Sequence, residues 1–242
     1  MTDQKVVLIT GANKGIGFET ARQMAELGIT VLVGARDRGR GEQAVASLGR
    51  RWPAVRLVAV DVTDPASIAA AAEDVGARHG RLDALVNNAG IGNGAAPPSR
   101  QSLSALRTLF ETNLHGAIAV TQAFLPLLER APAARIVNVS SSLGSLGLAA
   151  DPTSRIAPWT ALFGYCASKT ALNAFTVSLA HELRAKNIKV NSACPGYVAT
   201  DLNRHQGART VEQGAAIIVR LATLPDGGPT GGFFDDAGEV AW

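Results

Sequence analysis

Short β-branched runs alternate with helix-spaced segments along this chain, and that alternation leaves few folds open. Lys5–Thr10, Thr30–Gly34, Val55–Val60, Leu82–Asn87, Arg135–Ser140 and Lys189–Ala193 are near-continuous apolar runs. Parallel strands covered on both faces have this pattern. Between them, Gly15–Leu27, Arg38–Arg51, Pro65–His79, Leu103–Arg130 and Gly164–Asn187 carry helical spacing. Asp64 is placed to cap the third of these, with Pro65 at its first position. The alternation predicts an α/β fold: a doubly wound parallel sheet with right-handed crossovers and helices on both faces. No linker, repeat or low-complexity segment divides the 242 residues, so the reading is a single domain over 1–242. Gly90–Pro98 and Pro225–Gly232 read as loops near the edge of the sheet.

Composition closes other routes. With 47% hydrophobic and 18% charged residues the chain can bury a core. Its 23 Lys and Arg against 20 Asp and Glu give a net charge of +3, spread along the length, which argues against nucleic-acid binding. Cys166 and Cys194 match no zinc pattern and no disulfide framework; they read as reduced thiols of a cytoplasmic protein. The first residues lack the pattern of a signal peptide. The most apolar stretch, Gly116 to Leu128, is too short to cross a bilayer. His79, His115, His181 and His205 show no metal-ligand spacing, and no metal is expected.

In a doubly wound sheet, ligands bind beyond the carboxyl ends of the strands. The first strand runs into Thr10-Gly11-Ala12-Asn13-Lys14-Gly15-Ile16-Gly17. Its glycines permit a tight turn and close approach to a pyrophosphate, and the following helix offers free N–H groups to the anion. The same glycines would also serve a plain turn and tight strand–helix junction, but their place at the first βα junction favours dinucleotide binding. At the end of the second strand, Ala35 stands where many NAD sites carry an acid against the ribose, and Arg36 follows. With Lys14 approaching from the other side, two cations suit a 2′-phosphate and hence NADPH over NADH. The other reading makes Lys14 and Arg36 solvated surface charges.

Tyr165 and Lys169 stand one helical turn apart. An ammonium about 5 Å from a phenolate, at an effective dielectric near 20, interacts by roughly 3 kcal/mol, enough to lower the phenol pKa by up to about two units. Such a phenol could protonate a carbonyl oxygen as hydride arrives, or take a proton from an alcohol in reverse. The fifth strand ends in Ser140-Ser141-Ser142, where a hydroxyl could hold the substrate oxygen; the same serines would also cap the strand end. Asn113, inside a helical segment, is locally unfavourable and reads either as support for a kink and a relay water or as a surface residue.

Together these residues resemble the short-chain dehydrogenase/reductase family, over nearly the whole chain. Thr10–Gly17 is similar to its glycine motif, and Asn87-Asn88-Ala89-Gly90 to its strand-end motif. The resemblance implies a Rossmann-type fold and a tetrad of Asn113, Ser141, Tyr165 and Lys169, Ser141 being chosen because it opens the family's S-x-x-G run. It implies cofactor contacts from Gly11, Asn13, Lys14, Gly15, Ile16, Gly17, Arg36, Asp61, Val62, Asn88, Ala89 and Gly90. Pro195, Gly196, Val198 and Thr200 are added at the nicotinamide, and Lys169 also holds the ribose. The likeness is greater to NADPH-dependent carbonyl reductases, through Gly11–Phe18, Ala35–Asp37 with Arg40-Gly41, and the aromatic C-terminal segment. The 23 residues between Ser141 and Tyr165 are more than compact members carry and fewer than monomeric carbonyl reductases carry, which leaves monomer and homo-oligomer both open.

The expected function is therefore NADPH-dependent reduction of apolar ketones or aldehydes to alcohols, reversibly. Substrate loops are expected at about 143–163 and 196–212, with Leu143, Trp159 and Tyr197 lining an apolar pocket. The alternatives are a 3-oxoacyl-thioester or hydroxysteroid-type reductase of the same family and, from another class, a non-catalytic NADP-sensing protein.

Overall fold

In the computed structural model, residues 4–92 and 96–242 are described; Gly90–Pro98 is therefore seen only in part. The elements are β1 (Val6–Ile9), α1 (Gly15–Glu26), β2 (Thr30–Ala35), α2 (Arg38–Gly49), β3 (Val55–Ala59), α3 (Pro65–His79), β4 (Ala84–Asn87), α4 (Leu103–Phe110), α5 (Gly116–Leu128), β5 (Ala134–Val139), α6 (Leu146–Ala150), α7 (Phe163–Glu182), β6 (Ile188–Ala193), α8 (Val211–Ala222), β7 (Phe233–Asp235) and β8 (Gly238–Glu239). They form one sheet in the order β3-β2-β1-β4-β5-β6-β7-β8. Neighbours pair in parallel as far as β7, and β8 returns antiparallel.

Alternation along the strands fills two apolar layers, because both faces are covered by helices. Val6 and Leu8 of β1 join Leu85, Phe124, Leu128, Leu179 and Val190 on the α3–α5–α7 side. Val7 and Ile9 join Met24, Leu48, Val137, Ile218 and Leu221 on the α1–α2–α8 side. Asp64 accepts from the Ala66 N–H at 2.9 Å with Pro65 in the first turn, as its sequence predicts.

Three departures from the sequence reading matter. The span Leu103–Arg130 is two helices, joined by a π-helical turn over Glu111–His115 in which the Gly116 N–H reaches back to the Glu111 carbonyl. The extra residue accommodates Asn113, whose buried amide bonds away from its own helix, so the surface-residue reading of Asn113 is wrong. The 143–163 segment carries α6, and α8 begins at Val211, inside the expected 196–212 loop. A reciprocal cap between Thr210 and Gln213, a pattern visible in the sequence, starts α8. Finally, β7 and β8 extend the sheet beyond β6, where the sequence reading stopped.

Phe124 is fully buried between α5 and the sheet. Phe124→Ala should cost about 3–5 kcal/mol of stability, read from the urea midpoint at constant slope. A loss under about 1 kcal/mol would mean that this face is not packed as described.

Candidate active site

The strand order reverses between β1 and β4, so a crevice opens beyond their carboxyl ends. There Thr10 Oγ1 accepts from the backbone N–H groups of Asn88 and Ala89, both at 3.0 Å. Asn88 Nδ2 in turn donates to the carbonyls of Thr10 at 2.8 Å and Gly11 at 3.2 Å, locking the glycine turn to the end of β4. Gly15 has φ +58°, a left-handed conformation suited to glycine. A Cβ on Gly17 would lie 2.4 Å from Asn88 Nδ2. Helix α1 starts here with Lys14 at its cap position and no side chain bonded to its first N–H groups. An uncapped helix start beside a position, Gly17, with no room for a Cβ fits the pyrophosphate of a dinucleotide. Gly11, Asn13 and Ile16 lie in or beside the same turn, and Gly90 follows β4 by three residues.

At the end of β2, Asp37 accepts from the Arg40 N–H at 2.9 Å and so caps α2 rather than facing the ribose position beside Ala35. The Arg36 side chain is 76% exposed, with Nε 3.8 Å from Asp61 Oδ2. Asp61 Oδ1 accepts from the backbone and hydroxyl of Thr63, and Val62 packs at Gly116. Lys14 is not free beside Arg36: its Nζ lies 2.6 Å from Asp201 Oδ2. Lys14 and the adjacent His205 ring hold the Asp201 carboxyl below its ordinary range. Asp201 escaped the sequence reading because nothing in its neighbourhood pointed across to the glycine turn. Thr200, just before it, lies over Gly15, where an added Cβ would sit 3.6 Å from the threonine methyl.

Around β5 the expected tetrad comes together. Lys169 Nζ donates to the Val139 carbonyl at 2.8 Å and lies 5.7 Å from the Tyr165 ring centroid. Of the three serines, Ser141 is the one whose hydroxyl lies near enough to the Tyr165 phenol to favour its charged form, and its Oγ accepts from the Leu143 N–H at 3.2 Å. The Ser142 N–H donates to Cys194 Sγ, and the buried Ser140 hydroxyl has no partner among the described residues. Asn113 bonds both backbone groups of Ile91, at 2.8 and 3.0 Å, and its amide also donates to Ser168 Oγ. A Cβ on Gly90 would fall 3.4 Å from Asn113 Oδ1 and 3.6 Å from Lys169 Nζ, so these three residues share one corner. Pro195 and Val198 are buried, Gly196 has φ +80°, and Tyr197 and Trp159 stand 41% and 42% exposed with ring centroids 5.4 Å apart. Leu143 is half-buried beside Ser141. Among the described residues, no group of three or more His, Cys, Asp or Glu could hold a metal.

The electrostatics correct one expectation. The Tyr165 phenol is not acidified in this structure; burial pushes it above its ordinary value, the Cys194 thiol adds to that, and only the Ser141 hydroxyl pulls it down. Lys169 does not offset this, being itself buried and bonded to the Val139 carbonyl. Desolvation lowers its pKa to about 8, so the same low dielectric penalises both charged forms. An unfolded lysine titrates near 10.5, so the unfolded chain binds more protons between about pH 8 and 10.5, and this site's burden on stability is largest below pH 8. Lys169→Met should therefore melt above the parent protein at pH 7, the gap closing towards pH 10.5. A lower melting temperature for the variant across that whole range would contradict the burial penalty.

Residues 5–210 match the family model described as short chain dehydrogenase. The chain is 42% identical to the short-chain dehydrogenase anuI of Penicillium roqueforti (strain FM164), over 90% of this chain and 88% of that protein. It is 31% identical to the (+)-neomenthol dehydrogenase of Capsicum annuum, over 96% of each. Among solved structures, the NADPH-bound carbonyl reductase from chicken fatty liver superposes with a TM-score of 0.87 at 31% identity, covering 99% of both chains. With the doubly wound sheet and the glycine turn already in place, these matches settle the lineage: the chain belongs to the short-chain dehydrogenase family and is an oxidoreductase.

Proposed function

We propose that this protein is an NADPH-dependent reductase of apolar ketones and aldehydes, with Tyr165 as proton donor. The observation that carries the reading is the contact of the Ser141 hydroxyl with the Tyr165 phenol, with the Lys169 amine one helical turn away. Bound in the crevice between β1 and β4, the nicotinamide would supply hydride to the carbonyl carbon. Ser141 donates to the substrate oxygen and holds it at the phenol. Tyr165 Oη gives that oxygen its proton as the carbon is reduced, and buried charge on Lys169 steadies the phenolate left behind. Asn113 acts at one remove, fixing the chain after β4 through Ile91.

The preference for a phosphorylated dinucleotide rests on Arg36 at the end of β2, with no carboxylate free to face the ribose. The likeness to an NADPH-bound carbonyl reductase supports it. The apolar substrate class rests on Trp159 and Tyr197, whose rings lie 5.4 Å apart and stay partly exposed in the segments that follow the serine turn and Pro195-Gly196. Exposed large apolar side chains gathered at a reaction centre mark a binding surface. The one-domain reading of residues 1–242 is part of the same proposal.

Two substitutions test this on a panel of ketones and aldehydes. Tyr165→Phe should retain NADPH affinity and lose roughly 10²–10⁴-fold in turnover; near-normal turnover would reject Tyr165 as the donor. Arg36→Asp should weaken NADPH by at least about tenfold, worth one good charge-assisted contact, and leave NADH nearly unchanged. Equal losses for both dinucleotides would show that Arg36 does not read the phosphate.

A further inference from the structure

A chain of buried polar side chains runs through the apolar layer between the sheet and α7. Asn87 Nδ2 donates to Asn138 Oδ1 at 2.8 Å, and Asn138 Nδ2 to Thr176 Oγ1 at 2.9 Å. The hydroxyls of Thr176 and Ser192 lie 2.9 Å apart, and Ser192 Oγ donates to Asn173 Oδ1 at 3.0 Å. Thr176 Oγ1 also donates to the Leu172 carbonyl at 3.0 Å, so this hydroxyl ties the chain to the backbone of α7 as well. Asn173 Nδ2 then donates to the carbonyl of Gly144 at 3.3 Å. All five side chains are at least nine-tenths buried. Burying that many amides and hydroxyls in an apolar layer is costly unless each is bonded, and hydrogen bonds in series polarise one another.

The end point of the chain gives it meaning. Gly144 closes the short turn Ser142–Gly144 that Ser141 caps. Its carbonyl also accepts from Thr170 Oγ1 at 3.0 Å, so two α7 side chains hold the turn. The fit is close: a Cβ on Gly144 would lie 2.8 Å from the carbonyl carbon and Cβ of Lys169. Helix α7 carries Tyr165 and Lys169, so the bonds to Gly144 join the serine turn to the helix that bears its two partners.

We propose that Asn173, seconded by Thr170, is a positioning residue for the reaction. Its amide holds the Ser141–Gly144 turn on α7 and thereby sets the Ser141 hydroxyl against the Tyr165 phenol. This rests on the roles given above to Ser141 and Tyr165. Asn173→Asp keeps the volume but faces the Gly144 carbonyl with an acceptor, and Asn173→Ala removes the group.

Three readouts separate positioning from mere stability: NADPH affinity by fluorescence titration, kcat and KM for carbonyl reduction, and the pH midpoint of alcohol oxidation. Both Asn173 variants should bind NADPH within about twofold of the parent and lose roughly 10–100-fold in kcat, the scale of a misplacement near 1 Å. Their oxidation midpoint should move to higher pH, because a displaced Ser141 no longer favours the phenolate. Folded Asn173 variants with parental kcat and parental pH midpoint would overturn the proposal, even if they melt earlier. Should neither fold, Thr170→Val, which removes the other donor and leaves the buried chain intact, must shift kcat and midpoint in the same directions; parental values there also overturn it. Tyr165→Phe is measured alongside. Turnover surviving in that variant defeats the reading of the active site, whereas an inactive Tyr165→Phe with parental Asn173 variants defeats the positioning role alone.

Discussion

The architecture of the site depends on one amine held out of water against one backbone carbonyl. Lys169 Nζ, bonded to Val139 at the end of β5, ties α7 to the strand that delivers the serine turn. A fold selected for stability alone would place an apolar side chain there, since a buried ammonium with a single neutral partner is a burden. The position makes sense as a charge stored in low dielectric beside a phenol, where it acts more strongly than it could in water. It also explains why Tyr165 is not acidified at rest: the two groups share an environment that favours both neutral forms.

A second set of compensations stands at the dinucleotide end. Arg36 and Lys14, the cations that suggested a phosphate, already carry carboxylates in Asp61 and Asp201. An incoming dianion would exchange partners with them rather than meet bare charge, so its gain is smaller than a count of cations implies. What distinguishes this end of β2 is less the presence of positive charge than the diversion of Asp37 into a helix cap.

Much of this was legible in the sequence. The β-branched runs gave six strands to within a few residues, because a strand covered on both faces has few ways to be encoded. Thr10–Gly17 and the Tyr165/Lys169 spacing pointed to the candidate site, since both depend on local geometry. Less legible was whatever depended on distant packing. The π turn at Asn113 answers to a loop more than twenty residues upstream; an interior asparagine hinted at a kink, but not at its partner. The partners of Lys14 and of the Tyr165 phenol follow from which loops the tertiary fold brings together. The Asn173 chain did leave a trace: Asn138 and Ser192 interrupt runs that are otherwise apolar, and a polar residue in a doubly covered strand needs a partner.

The sheet order also bears on how the molecule is made. Strand β1 sits between β2 and β4, its Val7 in register with both Val31 and Ala84. The Val6 N–H bonds to Asp83, 77 residues further along the chain. During synthesis, one edge of this wholly apolar strand stays open until the polypeptide has lengthened by that amount and the later strand has left the ribosome. Long-range parallel pairing is slow to form and exposed to aggregation meanwhile. The strand that anchors the nucleotide turn is thus the one that waits longest for its neighbour, and the nascent chain's need for chaperone cover should be greatest over that interval.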